Sequence, residues 1–179
     1  AFANEERLLI PSPLHESYEE AIGAADEDIA REVIRAIEFQ ATDFIAATFA
    51  SLDRLAHEMD IGVAIKGVRA LDFVLKKIVT AALQVGGVVV ITASHGLAEQ
   101  TIMPHEPSGS PHAGSLVPFV LAGKEFAGFS LGQPQPIDGD LSMVPPAGTL
   151  ADVAPTLLEL LQLPAPADMS GRSLITLKL

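Results

Sequence analysis

The sequence predicts an α/β fold, a mostly parallel β-sheet flanked by helices, in a single domain over residues 1–179. Three observations lead there. Short apolar runs of strand length alternate along the chain with longer segments whose apolar residues recur at helical spacing. One of these runs, Gly87-Val88-Val89-Val90-Ile91-Thr92, is β-branched without polar alternation, the pattern of a strand covered on both faces. A 49% apolar composition over 179 residues is also enough to bury one sizeable core.

Taken in order, residues 7–13 (Arg-Leu-Leu-Ile-Pro-Ser-Pro) hold a short apolar run stopped by two prolines, an edge strand leading into a turn. Over 26–39, Ile29, Val33, Ile34 and Ile37 fall at helical spacing, and Asp26, Glu27 and Asp28 suit the positive amino-terminal end of that helix. Residues 43–50, rich in Phe, Ile and Thr, are expected to form a buried strand. A long amphipathic helix follows over 61–83, with Val63, Val68, Leu71, Val74, Leu75 and Ile78 on its apolar stripe. After the strand at 87–92 comes a loop of Pro, His, Ser and Gly at 104–114, then a short strand at 117–121. Residues 133–148 carry four prolines among Gly and Asp and read as a surface excursion. A final helix over 150–161 is closed by Pro164, with Pro155 a complication for its hydrogen-bond ladder. No internal repeat is present.

Charge and composition narrow the partners. With 11 basic against 23 acidic residues, the formal charge of −12 repels phosphate backbones, so nucleic acid is not an expected partner. An anionic small molecule would need metal ions or locally concentrated positive charge. There is no Cys, hence no disulfide framework and no thiolate metal site, and any metal must be held by carboxylate and imidazole. The apolar stretches at 85–92 and 116–122 are too short to span a bilayer, so no membrane partner is expected, and the absence of Cys fits a reducing cytoplasm. The chain opens Ala1-Phe2-Ala3 without an initiator Met, as a processed or partial chain would.

In α/β sheets ligands bind outside the carboxyl ends of strands, so residues beside predicted strands come first. Asp53-Arg54-Leu55-Ala56-His57 follows the strand at 43–50 and sets a carboxylate and an imidazole four residues apart. Ala93-Ser94-His95-Gly96 follows the strand at 87–92, and Pro111-His112-Ala113-Gly114 precedes the one at 117–121. His15 and His105 lie in acidic and proline-rich surroundings and read as solvated. Asp-x-x-x-His also recurs by chance. An Asp with two His holds Zn²⁺, Mn²⁺ or Fe, and the ligand set alone does not choose among them.

These residues, with others in the same order along the chain, resemble the cofactor-independent phosphoglycerate mutases. Phe49-Ala50-Ser51-Leu52-Asp53-Arg54-Leu55-Ala56-His57, followed by Ala64-Ile65-Lys66-Gly67-Val68-Arg69-Ala70-Leu71-Asp72, is similar to the stretch in which that family binds one metal ahead of a long helix. Ile91-Thr92-Ala93-Ser94-His95-Gly96-Leu97-Ala98-Glu99-Gln100 resembles the family's Ala-Asp-His-Gly-Asn-Ala-Glu stretch, and His112 matches a further family histidine. Leu8-Leu9-Ile10-Pro11-Ser12-Pro13, Leu150-Ala151-Asp152-Val153-Ala154-Pro155-Thr156-Leu157-Leu158 and Met169-Ser170-Gly171-Arg172-Ser173-Leu174 extend the likeness toward both ends.

The resemblance implies an alkaline-phosphatase-like fold, incomplete relative to the family and matching the carboxyl-terminal part of its phosphatase domain. It implies a phosphoserine relay between 3-phosphoglycerate and 2-phosphoglycerate, a small phosphorylated substrate, and divalent metal, Mn²⁺ ahead of Zn²⁺. Carried over, Asp53, His57 and His112 bind a first metal and His95 a second. Two departures bear on activity. Ser94 stands where the family has an Asp ligand of the second metal, and Leu97 where it has an Asn. None of Ser12, Ser51, Ser94 and Ser115 matches the family's nucleophile, whose segment lies upstream, so the chain alone is expected to be inactive. A homo-oligomer or a separate amino-terminal segment is expected to complete the sheet edge. The alternative reading is a degenerate, noncatalytic relative serving as a binding or interaction module.

Overall fold

The computed structural model describes residues 2–11, 23–40, 42–57, 60–97, 116–128 and 145–175. They fall into two compact units, Ala1–Glu125 and Phe126–Leu179, taken separately below.

The first unit is built on two long helices. Helix α1, Ala24–Phe39, begins after Gly23, whose φ of +84° is the left-handed conformation that glycine adopts without strain. Helix α3, Ile61–Gln84, is started by Asp60, whose carboxylate accepts from the backbone N–H groups of Gly62 (2.7 Å) and Val63 (3.1 Å). It ends in a Schellman arrangement: Gly86, at φ +80°, donates to the Leu83 carbonyl and Gly87 to that of Ala82. The two helices share a core of Ala30, Val74 and Ile78, flanked by Val33, Ile34, Ile37 and Phe49. At the surface Lys77 of α3 reaches both carboxylate oxygens of Glu27 at 2.8 Å. The buried line of α3 runs Val63, Ala64, Gly67, Val74, Ile78 and Ala82, whereas Val68 of the predicted stripe is exposed. Small residues occupy the buried line because another helix approaches there.

That helix is α2, Ser51–Ala56, one and a half turns long. Leu55 is its anchor, 2% exposed, and a Cβ on Gly67 would lie 2.6 Å from Leu55 Cδ1. Glycine at 67 thus lets α2 seat on α3.

Strands β1, Val89–Thr92, and β2, Phe119–Ala122, pair antiparallel, with Val89 opposite Ala122 and Thr92 opposite Phe119. The expected mostly parallel sheet is not confirmed: among the described residues the sheet is this two-stranded antiparallel ladder. A parallel pair needs a long crossover, usually helical, and the sequence between β1 and β2 has loop composition instead of helical periodicity. The strands predicted at 7–13 and 43–50 are not formed in their described residues. A strand exists only through its ladder, so β-like composition does not make one without a neighbour.

In the second unit a 3₁₀ turn, Leu150–Asp152, leads into α4, Val153–Leu160. Pro155 is the third residue of α4, where its missing N–H is one that the helix would leave unbonded anyway, so the ladder is intact. Asp152, 7% exposed, accepts at Oδ2 from the Thr149 N–H (2.7 Å) and hydroxyl (3.2 Å), and at Oδ1 from the Arg172 N–H (2.8 Å). The fully buried Thr156 hydroxyl donates to the Asp152 carbonyl (2.6 Å) and accepts from the Leu174 N–H (2.9 Å). No described helix is long and apolar enough to cross a membrane.

Candidate functional site

The residue pattern Asp53-x-x-x-His57, read from sequence as following a strand, sits on α2. Residues four apart on a helix share a face, so the carboxylate and the imidazole are neighbours by construction. His57 Nε2 lies 3.8 Å from Asp53 Oδ2. His95 comes from a different element, the segment just beyond β1, and its Nε2 lies 3.9 Å from the other oxygen, Asp53 Oδ1. One carboxylate therefore stands between two imidazoles, with one oxygen toward each.

The Asp53–His95 contact is unusual in its chemistry. Asp53 Oδ1 is buried and accepts no hydrogen bond from the described residues. His95 Nδ1 contacts the Gly96 carbonyl at 3.3 Å. A carbonyl only accepts, so a hydrogen bond there comes from a ring proton on Nδ1, and in the neutral Nδ1–H tautomer Nε2 keeps a lone pair able to bind a metal. In that tautomer two electron-rich atoms face each other across 3.9 Å, an arrangement relieved by a cation or a proton between them. Ligands of one tetrahedral metal are separated by roughly 3.3 Å, given bond lengths near 2.0–2.2 Å, so closing on an ion takes about half an ångström of movement. The donor types, one carboxylate and two imidazoles, suit a divalent first-row metal.

Of the four predicted ligands the fold thus brings three together, Asp53, His57 and His95. His112 lies outside the described residues. Among the described residues no three His, Asp or Glu side chains close around a single ion position; Asp53 instead serves the two imidazoles separately. Ser94, which takes the place of an acidic residue in the resemblance, is exposed, and Leu97 is buried.

One pair next to the site gave no signal in the sequence. Asp26 of α1, 1% exposed, accepts from the Ser51 hydroxyl at the start of α2, and its other oxygen, Oδ1, is buried without a described hydrogen-bond partner. In the run Asp26-Glu27-Asp28 it looks like one more solvated acid favouring a helix start.

Comparison with known proteins places this chain in a family. The Metalloenzyme superfamily model matches residues 1–165. Among curated proteins, the 2,3-bisphosphoglycerate-independent phosphoglycerate mutase of Chloroflexus aggregans is 38% identical over 178 residues, 97% of this chain and 31% of the relative. The protein of that name from Pseudomonas fluorescens is 37% identical over 177 residues, 97% of this chain and 31% of the relative. That from Cyanothece sp. is 34% identical over 171 residues, 96% and 31% respectively. The chain spans about a third of the length of the curated relatives it matches, 31% in each of these three. With 165 of its 179 residues matched by the family model, the chain belongs to the Metalloenzyme superfamily.

Proposed function

We propose that this chain is the metal-binding portion of a cytoplasmic phosphoglycerate mutase-like protein, one that moves a phosphoryl group between the hydroxyls of a small phosphorylated acid, as between 3-phosphoglycerate and 2-phosphoglycerate. Asp53, His57 and His95 hold divalent metal, with His112 as a further ligand, and Mn²⁺ is favoured over Zn²⁺. Bound metal supplies Lewis-acid charge that stabilises oxygens on a transferring phosphoryl group. The chain's own residues do the holding: α2 and its C-cap present Asp53 and His57 on one face, and the Nδ1 contact to the Gly96 carbonyl favours the tautomer of His95 whose Nε2 lone pair faces Asp53.

The observation that carries this reading is the buried Asp53 Oδ1, which accepts no described hydrogen bond and faces His95 Nε2 at 3.9 Å. A buried carboxylate oxygen in that position is costly unless something electropositive joins it. The neutral, exposed Ser94 favours a second reading, in which one metal position is weak and the chain is a noncatalytic binding module.

Calorimetric titration of the metal-stripped chain with Mn²⁺ and Zn²⁺, repeated on His57→Ala and His95→Ala, tests the proposal. Tight binding weakened at least tenfold by each substitution is the expected result. Absence of binding, or binding indifferent to both changes, overturns it. Phosphoglycerate interconversion by the chain joined to the remaining two thirds of a relative separates the catalytic reading from the noncatalytic one.

A further inference from the structure

We infer that Asp26 is a positioning residue for the Asp53–His57–His95 group, acting through the Ser51 hydroxyl to set the rotation of α2; this rests on the metal-binding reading above. Three acidic residues open α1, and two of them make ordinary surface pairs. Glu27 meets Lys77 at 2.8 Å, and Asp28 meets Arg31 at 2.6 Å. Asp26 instead is turned inward to 1% exposure, takes the Ser51 hydroxyl from 25 residues away, and leaves its second oxygen buried without a described hydrogen bond. A carboxylate so placed contributes poorly to stability, because its desolvation is only partly offset. What the placement does achieve is a fixed point at the start of α2.

Helix α2 needs such a point. It has six residues, and Ala50 before it offers no side-chain cap. Its inward attachments include the Ser51 to Asp26 bond and the packing of Leu55, with Leu52 beside it, over Gly67, and Ala56 is buried as well. At about 100° per residue, Ser51 and Leu55 lie on one face, and Asp53 and His57 lie on the far face, roughly 200° around the helix. A rotation of α2 about its axis would carry Asp53 and His57 together and leave their mutual distance unchanged. It would, however, swing Asp53 Oδ1 away from His95, which belongs to another element. The Ser51–Asp26 bond is a directional attachment that resists this rotation at the amino-terminal end, whereas Leu52, Leu55 and Ala56 pack through non-directional contact.

The test compares Mn²⁺ and Zn²⁺ affinity with metal-free thermal stability in the 179-residue chain and its variants Asp26→Ala, Ser51→Ala, Ser51→Thr and Glu27→Gln. Asp26→Ala and Ser51→Ala are expected to weaken metal binding about tenfold, the range for residues that orient metal ligands. Ser51→Thr keeps a hydroxyl and should retain wild-type affinity, and Glu27→Gln should leave affinity unchanged. Metal-free Tm should stay level or rise in Asp26→Ala, because a buried, half-satisfied carboxylate is removed. If the unaltered chain binds metal and Asp26→Ala and Ser51→Ala bind it equally well, the positioning role is overturned while the metal reading stands. A lower Tm in both with unchanged affinity overturns it in the same way and leaves a purely structural contact. Should Asp26→Ala fail to fold, the contrast between Ser51→Ala and Ser51→Thr decides alone. An unaltered chain that binds neither metal removes the metal reading and this inference with it.

Discussion

Asp152 in the second unit and Asp53 in the first each turn a carboxylate oxygen into the protein, but these oxygens are treated differently. Both oxygens of Asp152 are occupied, by the backbone N–H groups of Arg172 and Thr149 and by the Thr149 hydroxyl, and the surrounding segments at 149–156 and 171–174 are tied through it. The Arg172 N–H first, then the Thr149 N–H, hold its carboxyl below the usual aspartate range. Asp53 keeps Oδ1 buried and open toward a histidine, and Asp26 behind it keeps one oxygen buried and open as well. A carboxylate with all its hydrogen bonds made within the fold serves the fold. One that keeps a buried oxygen without a hydrogen bond gains little stability from that oxygen, and its use must be sought in what it receives.

That contrast can be broken at either end. The largest effect is expected at Asp53→Asn: metal affinity should fall by at least about 100-fold, or roughly 3 kcal/mol, because a ligand and its charge are both lost. Metal-free Tm should change little, since the Asp53 side chain is 41% exposed and its contacts to His57 and His95 are 3.8 and 3.9 Å long. A drop in metal-free Tm as large as that from Asp152→Asn would erase the distinction. Next comes Gly171→Ala in the second unit. Its Cβ would lie 2.0 Å from the Ala151 carbonyl oxygen, so the backbone around Asp152 must move, and urea unfolding should register a loss of about 1–3 kcal/mol with metal affinity preserved.

Asp152→Asn should be milder and dependent on pH. The folded carboxyl has a lowered pKa, so its contribution is fully present above the unfolded value near 3.9 and is lost as pH falls through the folded value. The variant should accordingly be less stable than the parent at neutral pH, and the gap should narrow on acidification below about pH 4 in thermal scans. Smallest of all is Lys77→Gln, which removes an ion pair whose side chains are 40% and 43% exposed. It should change stability by no more than about 1 kcal/mol and leave metal affinity untouched.

Much of this was legible in local pattern. Ile29, Val33, Ile34 and Ile37 announced α1, and Val63, Val74 and Ile78 announced α3, because helical periodicity is written in residues a turn apart and the hydrogen bonds close within the segment. The run at 87–92 announced β1. Residues 43–50 have strand composition but form no strand in their described positions, and β1 pairs antiparallel rather than within a parallel sheet, because pairing depends on partners distant in the chain. Helix α2 escaped notice since six residues are too few for a periodic signal, although Asp53 and His57 at a spacing of four are in retrospect its trace.

The sequence by itself determined the acidic, cysteine-free composition, the long helices, the family likeness and the residue types able to hold a metal. Tertiary structure alone decided that His95 would meet the second oxygen of Asp53, and that of three consecutive acids only Asp26 would be buried, against Ser51. Spacing along one element fixes which residues share a face. Whether a carboxylate is solvated, satisfied or left open depends on what other elements bring to it, and no local pattern records that.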